Sequence, residues 1–261
     1  MTWPFGLTDG AALWLAIAIF GAAILRGTCG FGFSALIVSA AALATDPLHL
    51  VPVVLLADIL LTVQQALGIK AEVDWHRVRL LLIGAIPGVP LGIWLLSGIG
   101  PDTARLVIAV CVLAMCALLL AGWRMQTAAS GGAHVATGIV SGVANGAAVG
   151  GLPVAAFFAA KPIPAAIFRA MLIAHFTLMD LWTLPLMAWA GLITRDTPIA
   201  TAMGRPLMVA GIALGSRQFR RAKPAGFRRF AIPLLATRPC LGLVRSCGRR
   251  NAALAQPART P

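Results

Sequence analysis

Tyrosine does not occur in the 261-residue chain, Asp and Glu together number 8, and 11% of residues are charged. Soluble globular domains carry about 25% charged residues, so a water-soluble fold is excluded. The shortage of acid leaves a net charge of +13. Its distribution speaks against a nucleic-acid partner, because the basic residues sit in short loops and a terminal tail, the positive-inside pattern of a membrane protein. Without tyrosine, interfacial anchoring falls to the seven tryptophans, most of them near expected helix ends. Lys and Arg are missing ahead of the first apolar run in MTWPFGLTDG, so the first helix is expected to be retained rather than cleaved as a signal peptide. Cys29, Cys111, Cys116, Cys240 and Cys247 lack metal-ligand spacing, which leaves cysteine as a small buried apolar residue. Neither a nucleophile–base constellation nor a Walker loop occurs, so an enzyme, direct ATP coupling and a bound cofactor all lack support.

Long apolar stretches are abundant. Residues 48–69, 80–100, 106–123, 135–160 and 170–194 approach or pass the ~20 residues that a spanning helix needs, and mean hydropathy is +0.90. The expected fold is an all-α polytopic membrane protein, one integral membrane domain over residues 1–261 with about eight transmembrane segments.

The chain is organised around SGVANGAAVGGLPVAAFFAAKP, residues 141–162. Gly138, Gly142, Gly146 and Gly150 recur every fourth residue, a bare stripe on a helix against which another backbone can lie. Gly151 and Pro153 are expected to interrupt that helix, and Pro153 also suits the first turn of a new one. Met125 to Ala160 carries no charge, so the break lies inside a bilayer, where irregular backbone persists only if buried in protein or lining a cavity. An earlier break, GTCGFGFS, follows Arg26 at the end of a first helix expected over 11–25, and Asp46-Pro47 closes that unit.

These features repeat. Nineteen residues separate Gly27 from Pro47 and Gly142 from Pro162, and Gly88, Gly92, Pro101 and Arg105 recur at one offset as Gly211, Gly215, Pro224 and Arg228. Two related repeats follow, 11–124 and 133–237, with an atypical basic tail over 238–261. If each broken unit enters and leaves on one side, twelve loop Lys and Arg share a face against Arg105 and Arg195 opposite. If each crosses once, the split is nine against five. The sharper asymmetry favours inverted repeats, with the amino terminus outside. Pro233, Arg238 and Pro239 fall where the last helix belongs. A change of reading frame near 233–237 or a shortened helix with a basic tail would account for them.

Two carboxylates stand amid apolar sequence in corresponding helices, Asp58 and Asp180. Such residues are expensive in a membrane and face polar interiors. One reading is proton or cation coupling, supported at Asp180 by His175 just over one turn earlier. The other is a packing carboxylate with a basic partner, the simpler view of Asp58. Arg26 could receive an anion or snorkel to the interface, and Arg205 reads as snorkelling. The half-helices starting near Gly32 to Ser34 and Gly151 to Pro153 present unpaired donors and positive dipole ends to the membrane interior. The candidate substrate site is therefore Arg26, Gly27, Cys29, Gly30, Gly32 and Ser34 with Asn145, Gly146, Gly150, Gly151 and Pro153; no metal is expected. Close packing alone is the alternative for the glycines, and the simplest account of the stripe Gly84, Gly88 and Gly92.

RGTCGFGFSALIVSAAALATDP and SGVANGAAVGGLPVAAFFAAKP, with FRAMLIAHFTLMDL after the second, resemble the sulfite exporter family TauE/SafE. The first segment departs from that family in carrying Phe31 and Phe33 where a run of glycines is usual. The resemblance implies a bacterial inner-membrane permease with two related halves, moving small anions such as sulfite, sulfonates or other organosulfur compounds. Proton-coupled export is one form this would take. The expected partners are the lipid bilayer and a small anionic substrate, with room for a homo-oligomer. A non-transporting membrane scaffold or assembly factor is the alternative, with the glycine stripes serving only to pack helices.

Overall fold

A computed structural model describes residues 3–65, 70–120, 130–161 and 163–221. Among them all regular structure is helical: α1 (Asp9–Cys29), α2 (Phe33–Ala44), α3 (Pro47–Gln65), α4 (Trp75–Ser97), α5 (Pro101–Leu120), α6 (Gly131–Asn145), α7 (Gly151–Ala159), α8 (Ala165–Trp189) and α9 (Asp196–Arg221). Four helices, α1, α4, α8 and α9, are long and apolar enough to cross a membrane. Short polar caps start several of them. Thr8, Asp74 and Ser130 accept hydrogen bonds from Ala11 N, Arg77 N and Ala133 N, satisfying donors that the first turns of α1, α4 and α6 leave open.

Both breaks are hairpin turns. In the first, α1 runs three residues beyond Arg26, so Gly27 and Cys29 belong to the helix and the break is confined to 30–32. Gly30 and Gly32 take φ of +80° and +86°, a region that costs a side-chain-bearing residue 1–2 kcal/mol or so. That leaves Phe31 free to sit between them with an ordinary backbone. In the second, α6 ends at Asn145 and the chain turns over 146–150, with Ala148 at φ +54°. Gly151 and Pro153 open α7 rather than interrupting a helix, and Pro153 sits in the first turn where its missing donor does least harm.

Each short helix folds back along the one before it. Trp14 Nε1 donates to Ala40 O at 3.0 Å between α1 and α2. Ser141 Oγ donates to Gly150 O at 2.7 Å across the second turn, and at its base His134 lies 5.0 Å from the Phe157 ring and 3.1 Å from Lys161 Nζ.

The glycine stripes hold these hairpins to the rest of the bundle. A Cβ on Gly142 would stand 2.6 Å from Ala85 O, and one on Gly146 2.6 Å from Gly92 C, so α6 and α4 touch backbone to backbone. Gly84, Gly88 and Gly92 meet Val135, Ile139 and Val143 in return, as the packing reading expected. Gly150 leaves this stripe and faces Ser141 and Asn145 within its own hairpin. The second seam joins α1 to α9: a Cβ on Gly27 would lie 2.7 Å from Ile212 O, and one on Gly211 2.6 Å from Ala23 Cβ. Residue numbers rise together along both seams, so the paired helices run parallel. The first helix of each expected repeat thus lies on the fourth helix of the other. The expected last helix and the tail at 238–261 lie outside the described residues.

Because the atoms opposing Gly142 are backbone, a side chain there forces α4 and α6 apart. Gly142→Val is expected to cost about 2–3 kcal/mol, read as a large fall in the thermal unfolding temperature of purified protein. Gly21→Ala meets open space and is expected to leave stability unchanged or raise it by about 0.5–1 kcal/mol.

Candidate functional site

The tips of the two hairpins meet at a cavity. Arg26, Gly32 and Ser34 line it from the first hairpin, Asn145 and Gly151 from the second, and Asp58 and Asp180 from α3 and α8. Phe31, Phe33 and Phe176 supply apolar wall. Its volume is ≈ 10 Å³, space for about one water molecule, so the chamber is narrow.

Arg26 carries the one positive charge on this cavity and is 1% exposed. Its position three residues before the end of α1 aims it inward, which corrects the snorkelling alternative. Nη1 lies 2.7 Å from the Asp58 carboxylate, and Nη2 donates to Thr62 Oγ1 at 2.8 Å. Thr62 donates in turn to Asp58 O at 3.0 Å and accepts from Thr177 Oγ1 at 2.6 Å, which ties α1 and α3 to α8. Asp58 therefore has the basic partner expected of a packing carboxylate, and it has it inside the cavity.

Asp180 has a different environment. Asn145 Nδ2 donates to Asp180 Oδ1 at 3.1 Å and to Thr183 Oγ1 at 2.9 Å. A neutral amide thus stands toward Asp180 much as the guanidinium stands toward Asp58. Asp58 and Asp180 line the same chamber, where Arg26 is the one cation among the described lining residues, so two acids there face a single base.

Both short helices start at this chamber. Neither α2 nor α7 has a side-chain cap on its first turn. Their leading amides and positive dipole ends add to Arg26, a combination suited to an oxyanion.

Other predicted residues stand back from the cavity. Gly27 and Gly146 are seam contacts, Gly150 sits behind Asn145, and Gly30 packs on Arg169. Cys29 is buried beside the Thr28 hydroxyl at 3.4 Å, and Pro153 lies within the first turn of α7. The His175 ring hydrogen-bonds Ser141 Oγ at 3.3 Å and not Asp180. Five positions along a helix are about 500°, which turns the two side chains roughly 140° apart. Sequence reasoning missed Thr62, Thr177 and Thr183. Their spacing of three or four residues from Asp58 or Asp180, one helical turn, was the available signal.

The family described as Sulfite exporter TauE/SafE matches residues 15–237. A protein of Cupriavidus necator described as "Probable sulfite/organosulfonate exporter TauE" is 26% identical over 217 residues, covering 79% of this chain and 83% of that one. No solved structure matches the chain. The helical, membrane-crossing chain belongs to the sulfite exporter TauE/SafE family, whose members are transporters rather than enzymes.

Proposed function

We propose that the chain is a multi-pass permease of the bacterial inner membrane that moves small anions, with sulfite, sulfonates or other organosulfur compounds as the substrate class, and that the cavity between the hairpin tips binds them. The observation that carries this is the meeting of a buried guanidinium with two uncapped helix starts at one chamber. A scaffold needs the glycine seams but has no use for a buried charge cluster. The relative's description names sulfite and organosulfonates, which suit a site built from N–H donors.

The architecture is read as an inverted repeat of about eight membrane segments, each hairpin counted once and the last segment following α9. The parallel seams support this, since the first helix of one repeat can run alongside the fourth of the other only if the halves point oppositely. The twelve-to-two division of loop cations supports hairpins entering from opposite faces, that of α6 and α7 from the cytoplasm.

Charge counting at the cavity yields a mechanism. Two buried acids against one base hold one proton in this proposal, which makes the cluster of Arg26, Asp58 and Asp180 neutral. A monoanion that takes Arg26 leaves Asp58 without its counter-ion. In so narrow a chamber a second proton must then join the pair, because an uncompensated buried charge costs several kcal/mol. Anion and proton travel together and the step is electroneutral. Outward movement then follows the anion's own gradient and carries a proton with it.

Vesicle uptake of labelled sulfite, with sulfoacetate and acetate as comparisons, tests the transport reading with and without an imposed pH gradient. Gradient-dependent accumulation of the sulfur anion is the expected result; no flux from protein shown to be inserted would contradict it. The second proton reaches Asp58 by way of Asp180, so Asp180→Asn should still exchange anion for anion across the membrane while losing its response to a pH gradient. Unchanged coupling in that variant removes Asp180 from the mechanism. Arg26→Gln strands the Asp58 charge and should cost about 3–5 kcal/mol of stability, most of it recovered in Arg26→Gln with Asp58→Asn. Thermal unfolding reads the recovery, and both variants should fail to transport.

A further inference from the structure

A second cavity, of ≈ 330 Å³, opens between α3 and α9. Leu60, Leu61 and Val63 of α3 and Met208 and Val209 of α9 form its apolar walls, and Arg205 also lines it. Val63 is 71% exposed and Leu60 44%, so the groove lies on the outer flank of the bundle, where a membrane chain meets acyl chains rather than water. Its volume lies in the range of small-molecule sites of about 300–1,000 Å³.

Arg205 is exposed, and no carboxylate among the described residues pairs with it. A guanidinium on a lipid-facing flank must reach the interface or find an anion. Arg205 stands nine residues into α9, about 14 Å along the helix axis, and helical side chains lean toward the amino-terminal end. Its charge is thus directed toward the leaflet at the Asp196 end. Met208 and Val209 follow one turn deeper, and Thr201 Oγ1 meeting Val53 O fixes α3 alongside. A cation with an apolar channel beneath it repeats the order of a phospholipid, whose phosphate is drawn down to Arg205 from the interface as the guanidinium reaches up. Arginine also offers the fork that phosphate oxygens accept in pairs.

We propose that the α3–α9 groove binds an anionic phospholipid, its phosphate on Arg205 and one acyl chain along Leu61, Val63 and Met208. Ala57 in the groove wall adjoins Asp58, and Gly211 and Gly215 seat α9 on α1 beside Arg26. The lipid therefore braces the two helix pairs that hold the buried ion pair together. This inference rests on residence in a membrane and not on the anion-transport reading.

The test uses the full chain in detergent, with native mass spectrometry and thermal unfolding in the presence of phosphatidylglycerol, phosphatidylcholine or soluble glycerol phosphate. One retained phosphatidylglycerol and a rise in unfolding temperature specific to that lipid are expected. Arg205→Gln should weaken its binding about tenfold, the size of one charge-assisted contact. Val63→Trp alters an exposed side chain, fills the groove, and should weaken binding while leaving the lipid-free unfolding temperature unchanged; it carries the test if Arg205→Gln fails to fold. Equal retention of phosphatidylcholine, or binding unaffected by either variant, overturns the proposal. Equal stabilisation by glycerol phosphate also overturns it, making the groove a free phosphate site.

Discussion

A break in a helix within a bilayer leaves amides and carbonyls that lipid cannot satisfy, and everything else in this chain follows from covering two of them. Each hairpin must lean on another helix closely enough to exclude lipid, and only glycine permits that approach. The seams of α6 on α4 and α1 on α9 bring backbone to backbone contact. Because the seams link opposite halves of the chain, they also fix the two hairpin tips against one another. The chamber is the place where the tips meet.

Charge then decides what the chamber can hold. Arg26 is tolerated there because Asp58 and Thr62 satisfy most of its donors, and Asp58 because Arg26 neutralises it. Asp180 lacks a cation of its own among the described residues and relies on Asn145. In the proposed mechanism an anion enters by displacing a carboxylate, and the displaced carboxylate takes a proton. Coupling in this account is a consequence of burying two acids with one base.

The sequence made the breaks and the stripes legible because glycine and proline act locally. Gly84, Gly88 and Gly92 read as packing, and they pack. Gly30 and Gly32 were legible as a break, but the persistence of α1 through Cys29 was not, since a helix end depends on where the chain must turn in three dimensions. Asp58 and Asp180 stood out against apolar neighbours. That Arg26 would turn inward to meet Asp58 depends on a contact 32 residues away, which no local pattern encodes. The same limit misassigned His175: spacing placed it near Asp180 in sequence, while helical rotation turns it to Ser141.

The most direct test counts protons against anions. Vesicles holding the purified chain and a trapped pH indicator would take up labelled methanesulfonate, a monoanion that does not itself titrate near neutral pH, while proton entry is recorded in parallel. The account predicts a ratio of one proton per anion, the same with and without an imposed membrane potential. Methanesulfonate flux driven by voltage, with no accompanying proton, would contradict it.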